Sequence, residues 1–286
     1  RYECGIEQYE QIKREKSRSD SFMIILDGKH ISEFGFEVEP GHDDPITPNF
    51  EHKTLAIPGK AGLWYFGSEI KERPFGFPIV IHDRFHDNMQ RAYNRLVAFL
   101  FDPFGKPREI KIVREYEPDK FIKARVLQQM LPERLTEEGK VVLPFIAYDP
   151  YKYSNVYADE VTWGSEVITF EYNYLLGHES TGGAVKITGP QTINITVDGL
   201  AVQPIFEISG TGVNLSISAN GYSFDLPIFV DIDWIIDFEK YIVYRNGQET
   251  MLDIKEFYLM PGNNQVQIKG DIIDINLRIK FRDKYL

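Results

Sequence analysis

Apolar residues in the first half of the chain recur largely at every second position. Met23-Ile24-Ile25-Leu26 reads as a short strand, and Asp27-Gly28 behind it as a tight hairpin turn, because glycine accepts a positive φ. The run from Ile31 to Val38 places apolar residues at alternate positions, which predicts a half-buried strand ended by Pro40-Gly41. His42 to Pro48 is a loop by composition. Strands are predicted at Thr54–Ile57 and Leu63–Phe66, joined by the turn Pro58 to Gly62. A further strand runs from Phe75 to Ile81, where Pro78 points to an edge or a bulge.

The period then changes. Met89, Tyr93, Leu96, Val97 and Leu100 recur at helical spacing, so a helix is predicted from Asp87, as its cap, to Phe101. Asp102-Pro103-Phe104-Gly105 stops it. Its apolar stripe should lie on a sheet, and Arg91, Asn94 and Arg95 should face solvent or a neighbour. Strands return at Ile110–Val113, Phe121–Leu127 and Lys140–Ala147, and the pattern breaks at Tyr148-Asp149-Pro150-Tyr151.

From Val185 onward short strands alternate with turns. They fall at Val185–Ile187, Ile193–Val197, Ile205–Ile208, Val213–Ile217 and Tyr222–Asp225. Asp198-Gly199, Asn220-Gly221, Asn246-Gly247 and Pro261-Gly262 mark turns. The strongest hairpin is Tyr241 to Arg245, Asn246-Gly247, then Gln248 to Leu252. The predicted fold is mainly β, in two domains. Residues 22–153 form an N-terminal β-rich domain with one α-helix, and residues 154–286 an antiparallel β-sandwich. No second helix is required, and no solenoid period or low-complexity tract is present.

Length and composition agree. At about 100–200 residues per domain, a chain of 286 fits two. The 20 Phe and 16 Tyr favour strands over helices. A net charge of −11 lacks the basic footprint that stable nucleic-acid binding needs. The single cysteine, Cys4, excludes an internal disulfide. No apolar run approaches the roughly 20 residues that span a membrane. Residues 1–21 are polar, lack the apolar stretch of a signal peptide, and read as a leader, a helical extension or an added remnant.

Several ordered segments resemble the distal tail proteins (Dit) of long, flexible-tailed phages. They are Met23 to Gly35, Thr54 to Gly62 followed by Phe66-Gly67, Leu100 to Arg108, and Ala147 to Ser154. In the second half, Tyr244 to Gly247 and Phe257 to Asn264 match later strands of that family. The resemblance implies that the first domain forms a hexameric ring around a channel and that the second is a galectin-like β-sandwich. The ring would lie between the tail tube protein and the tail-tip protein, at the tip of the virion tail. The second domain would be a platform for receptor-binding or baseplate proteins. The protein would be made in the bacterial host cytoplasm. DNA would only pass through the channel. The family usually begins at about Met23, so residues 1–21 depart from it.

The sequence offers few candidates for chemistry. His82 and His86 lie four apart, a metal-compatible spacing on a helix, but they precede the predicted helix. His42, Asp43, Asp44 and His52 form a second possible cluster in a proline-rich loop. Asp231, Asp233, Asp237 and Glu239 are the densest acidic group, and a solvated strand face accounts for them more simply than calcium or glycosidase chemistry. Trp163-Gly164-Ser165-Glu166 is similar to part of the sugar-binding signature of galectins, whose His-x-Asn-Pro-Arg partner is absent. Cys4 reads as an inert thiol. The expectation is a structural protein rather than an enzyme, with no catalytic, cofactor-binding or metal residue and no cofactor. Two rival readings are a carbohydrate-binding β-sandwich and a wall-degrading hydrolase using Asp231/Asp233 or Asp237/Glu239.

Overall fold

The computed structural model describes residues 24–41, 43–160 and 183–286. The chain divides into two compact units, Arg1–Lys152 and Tyr153–Leu286. It is mainly β, and among the described residues it holds one α-helix.

In the first unit, β1 (Ile24–Leu26) and β2 (Lys29–His30) form the expected hairpin. Asp27 and Gly28 take φ of 47° and 80° at its turn. The strand expected from Ile31 to Val38 is not formed. Ile31–Phe34 is a 3-10 turn, and only β3 (Glu37–Val38) is extended. The Glu33 carboxylate accepts the His30 backbone N–H at 3.0 Å, and Gly35 closes the turn at φ 89°. Ile31 and Phe34 are three apart and both buried, which a 3-10 turn satisfies and strict alternation does not.

β4 (Phe50–Ala56) and β5 (Leu63–Ile70) form a separate two-stranded sheet. β6 (Arg73–His82) follows and pairs along its whole length with β10 (Glu138–Ala147), from Arg73↔Ala147 to His82↔Glu138. The bulge expected at Pro78 is therefore absent, and the proline faces a side of β6 that is only thinly paired. On the opposite side the short β3 pairs at Ile79 and Val80, the Pro78 carbonyl accepts the Glu39 N–H at 2.8 Å, and Asp43 bridges to Gly76. So little ladder lies on that side that the missing proline donor is tolerated.

The helix, α1, is His86–Leu100. Asp87 is not its cap. The Asp83 carboxylate takes the Phe85 N–H at 2.7 Å, which turns the chain into the helix earlier. Asp87 lies in the first turn, where the helix dipole favours negative charge. Met89, Ala92, Tyr93, Leu96 and Leu100 are buried, whereas Val97, expected in the stripe, is 42% exposed.

The rest of the unit comprises β7 (Ile110–Arg114), β8 (Glu117–Val126) and β9 (Glu133–Arg134), and β11 (Lys152–Ser154) spans the boundary. The sheet runs β2-β1-β7-β8-β10-β6-β3, with β9 alongside β10. One apolar cluster draws on both halves of this order, including Ile24, Ile112, Phe77 and Phe145, and on Leu96 of α1.

The second unit is an antiparallel sandwich of two sheets. One contains β12 (Val185–Ile187), β21 (Ile272–Lys280), β14 (Ile205–Val213), β17 (Phe229–Asp237), β18 (Ile242–Arg245) and β19 (Gln248–Glu249), in that order. The other runs β13 (Gln191–Val197), β20 (Gly262–Lys269), β15 (Leu215–Ala219) and β16 (Tyr222–Leu226). β22 (Lys284–Tyr285) ends the chain. Inward residues of both sheets share one core. Phe206, Phe224, Phe238 and Phe257 interlock there, with centroids 5.0–5.8 Å apart and mostly edge-on.

The strand expected at Val213–Ile217 is broken at Asn214, whose φ of 52° ends β14 before β15 begins. β14 bulges against β17 between Gly210 and Gly212, while its ladder with β21 on the other side is unbroken. Gly210 has φ 129°, and a Cβ there would sit 2.3 Å from the Asp274 carbonyl oxygen.

Candidate functional site

The sequence-flagged polar residues scatter. His82 ends β6, with Nδ1 3.6 Å from Glu138, while His86 opens α1. His42 lies outside the described residues. Asp43 bridges to Gly76, Asp44 pairs with Arg114, and His52 stands in β4 edge-on to Tyr65. Asp231 sits at φ 49°, and the Asp233 N–H is held by the Asn246 side chain at 2.9 Å. Asp237 is buried and accepts the Lys240 N–H, closing a turn. Among the described residues, no group of three or more His, Cys, Asp or Glu is placed to hold a metal. Cys4 and Trp163 to Glu166 lie outside the described residues. No described helix is long and apolar enough to cross a membrane.

The feature that stands apart is the hairpin β4–β5. All its residues are exposed except Gly67, which is half-buried. Trp64 is 49% exposed, and Tyr65 and Phe66 are each 63% exposed. Phe66 and Gly67 together oppose Lys53, a bulge with Gly67 at φ 121°. The register puts Phe50, Ile70, His52, Ser68, Tyr65 and Leu63 on one face, without a formal charge. The other face carries Glu51, Glu69 and Lys53 near the base and Leu55, Trp64 and Phe66 toward the tip.

Lys53 and Lys71 bond to Glu69 and hold its carboxyl down at about 2. Lys71 also pairs with Glu51 at 2.7 Å, so the charges at the base neutralise one another. Lys60 covers the Trp64 ring at 4.2 Å. An isolated two-stranded hairpin is marginal in water, and contiguous exposed apolar surface marks an interaction site.

The base of this arm is fixed. Asp43 exchanges two backbone bonds with Gly76, at 2.8 and 3.0 Å. Asp44 accepts from the buried Arg114 at 2.7 Å and from the Tyr116 hydroxyl at 2.8 Å. Three residues beyond β5, Arg73 is wholly buried. Its Nη2 reaches only the Ile46 carbonyl oxygen at 3.5 Å, and Nε and Nη1 have no partner among the described residues. Burial, with Arg114 nearby, lowers its pKa. A pinned root thus carries an uncovered arm.

Both strands of the arm are legible in the sequence, but their length and exposure are not. The signal was present in Leu63-Trp64-Tyr65-Phe66, four consecutive large apolar residues without alternation.

Residues 29–147 match the family model described as a phage tail protein RIFT-related domain. The first unit carries a phage tail protein domain. The arm lies within that domain. Over most of the chain, the fold is similar to that of the SPP1 Dit (gp 19.1) protein, described as a paradigm of the hub adsorption apparatus in phages that infect Gram-positive bacteria. That alignment has a TM-score of 0.67 and 15% identity and covers 93% of this chain and 99% of that one. Two structures of the phage P2 baseplate in its activated conformation, with Ca and with Sr, align at TM-scores of 0.47 and 0.42. Both are 9% identical, cover 93% of this chain, and are covered at 98% and 99%. No curated protein matches the sequence. The tail domain and the Dit-like fold bear out the resemblance to distal tail proteins and the mainly β fold.

Proposed function

We propose that this chain is a structural distal tail protein. Copies assemble through the tail domain into a ring, hexameric by resemblance, between tail tube and tail-tip protein. The 154–286 domain is the platform on which receptor-binding or baseplate proteins dock. The protein acts in the virion tail tip and carries out no chemistry of its own. The observation that carries this reading is the pinned, uncovered hairpin of the tail domain: Trp64, Tyr65 and Phe66 lack a cover within their own unit. Ring assembly supplies one, because head-to-tail contacts that close on themselves bury the same surface on every copy.

Mass photometry and negative-stain microscopy of the purified chain test it. The expected result is a closed ring with protruding lobes, whose population rises with concentration and falls when Trp64 and Phe66 are both changed to Ser. A chain that stays monomeric to about 100 µM, where even weak interfaces self-associate, would overturn the reading.

A further inference from the structure

We infer that the tip of this hairpin seats in a groove beside α1 of the next copy. The contact rests on the ring reading above and names the surface that receives the arm. The groove has a volume of about 270 Å³. Its apolar wall is Tyr93, Leu96, Val97, Phe101, Met130 and Val141, and its polar rim is Gln90, Asn94 and Arg134. Exposed apolar surface continues beyond it, with Leu131 73% and Val97 42% exposed. Val97 is the helical residue whose spacing predicts core and whose position in the folded unit is not core.

Three observations make a second copy the occupant. First, hairpin and groove are both uncovered in one copy, so the arm does not fill the groove of its own unit. Second, they lie toward opposite ends of the β6–β10 ladder. The arm enters β6 at Arg73, paired with Ala147, whereas the groove is lined by Val141, paired with Ile79. Six residues of strand set the root of the arm roughly 20 Å from the groove. Knob and hole at opposite ends of one body join copies head to tail, the arrangement that closes a ring.

Third, the area is of the right order. Toward the tip, Leu55, Leu63, Trp64, Tyr65 and Phe66 are each between 49% and 63% exposed. At the side-chain areas of large apolar residues, they offer on the order of 600 Å². That approaches the roughly 800 Å² each partner contributes to a stable interface.

Cross-linking of the full chain tests the contact. In a Cys4→Ser background, Lys60→Cys and Asn94→Cys are combined and treated with a short bis-maleimide. The expected result is a ladder of covalent oligomers, and a single hetero-dimer band when the two single variants are mixed. Met251→Cys with Asn94→Cys is the control, since Met251 is fully exposed in the other unit, and it should give no ladder.

Val97→Arg changes an exposed helical position, so the fold tolerates it. It should remove the ladder and weaken self-association at least about tenfold, as loss of a central contact does. If rings form but the 60–94 ladder is absent and Val97→Arg assembles normally, this pairing is wrong while the ring stands. That result would leave the groove to a tail partner of different sequence. If no assembly forms at any concentration, the ring reading falls and this contact with it.

Discussion

Asp283 should make the second unit more stable in mild acid than at neutral pH. Its carboxylate is largely enclosed. Oδ1 accepts the Asp198 N–H at 2.8 Å, and its own N–H donates to Ser154 Oγ at 3.0 Å. Burial lifts its pKa from 3.8 to about 6; the neighbouring Asp198 carboxylate adds to the rise, and the Asp198 N–H opposes it. The folded unit therefore holds this proton more tightly than the unfolded chain does. The stabilisation is fully present below about pH 4 and is lost as pH rises through about 6. A gap of about two pK units corresponds to about 3 kcal/mol.

Asp283→Asn removes the charge and keeps an oxygen acceptor. At pH 7.5 the variant should exceed the wild type by about 2 kcal/mol, after about 1 kcal/mol is deducted for the weaker hydrogen bond. At pH 4.5 the gain should shrink to near zero. Urea unfolding followed by Trp234 fluorescence reads this unit alone when Trp64 and Trp163 are both changed to Phe. An equal shift of the midpoint at both pH values would refute the reasoning, as would an NMR titration that places the Asp283 carboxyl below pH 5.

Two further substitutions probe buried polar anchors. Asp44→Ala leaves the Arg114 guanidinium, 2% exposed, without its carboxylate, and should cost about 3–5 kcal/mol and raise proteolysis between Pro45 and Asn49; a melting loss below about 1 kcal/mol would contradict it. Asn264 is buried, accepts from Met260 N–H at 2.7 Å, and donates to the carbonyls of Met260, Gly262 and Ile195. Asn264→Ala should cost about 3 kcal/mol by chemical denaturation and speed amide exchange at Met260, because several buried groups lose a partner at once.

Periodic burial made part of this molecule legible in its sequence. α1 shows because Met89, Tyr93, Leu96 and Leu100 all meet one sheet. The Asn246-Gly247 turn shows because both residues need positive φ, 49° and 75°. β20 and β21 alternate cleanly, at Val266, Ile268, Ile273, Ile275, Leu277 and Ile279, and pass unread beside stronger turn signals. The hairpin arm is a different case. Neither face of β4–β5 meets a core, so no two-residue period is imposed on it, and its length is invisible to any rule based on burial. Arg73, Arg114 and Asn264 are buried polar residues, and nothing in residue type announces that. Val97 shows the reverse failure: helical spacing reports which side of a helix a residue occupies, not whether anything covers it.

The arm also has a consequence for the newly made subunit. Both outer edges of β4–β5 leave rows of backbone donors and acceptors without strand partners, because among the described residues neither strand pairs with any other. Such an edge recruits any extended chain nearby. Lys53, Lys60 and Lys71, with Pro58 at the bend, are the residue types that blunt it. This protection slows misassociation without abolishing it. A chain made in excess of whatever covers the arm should therefore lead to fibrous or amorphous by-products.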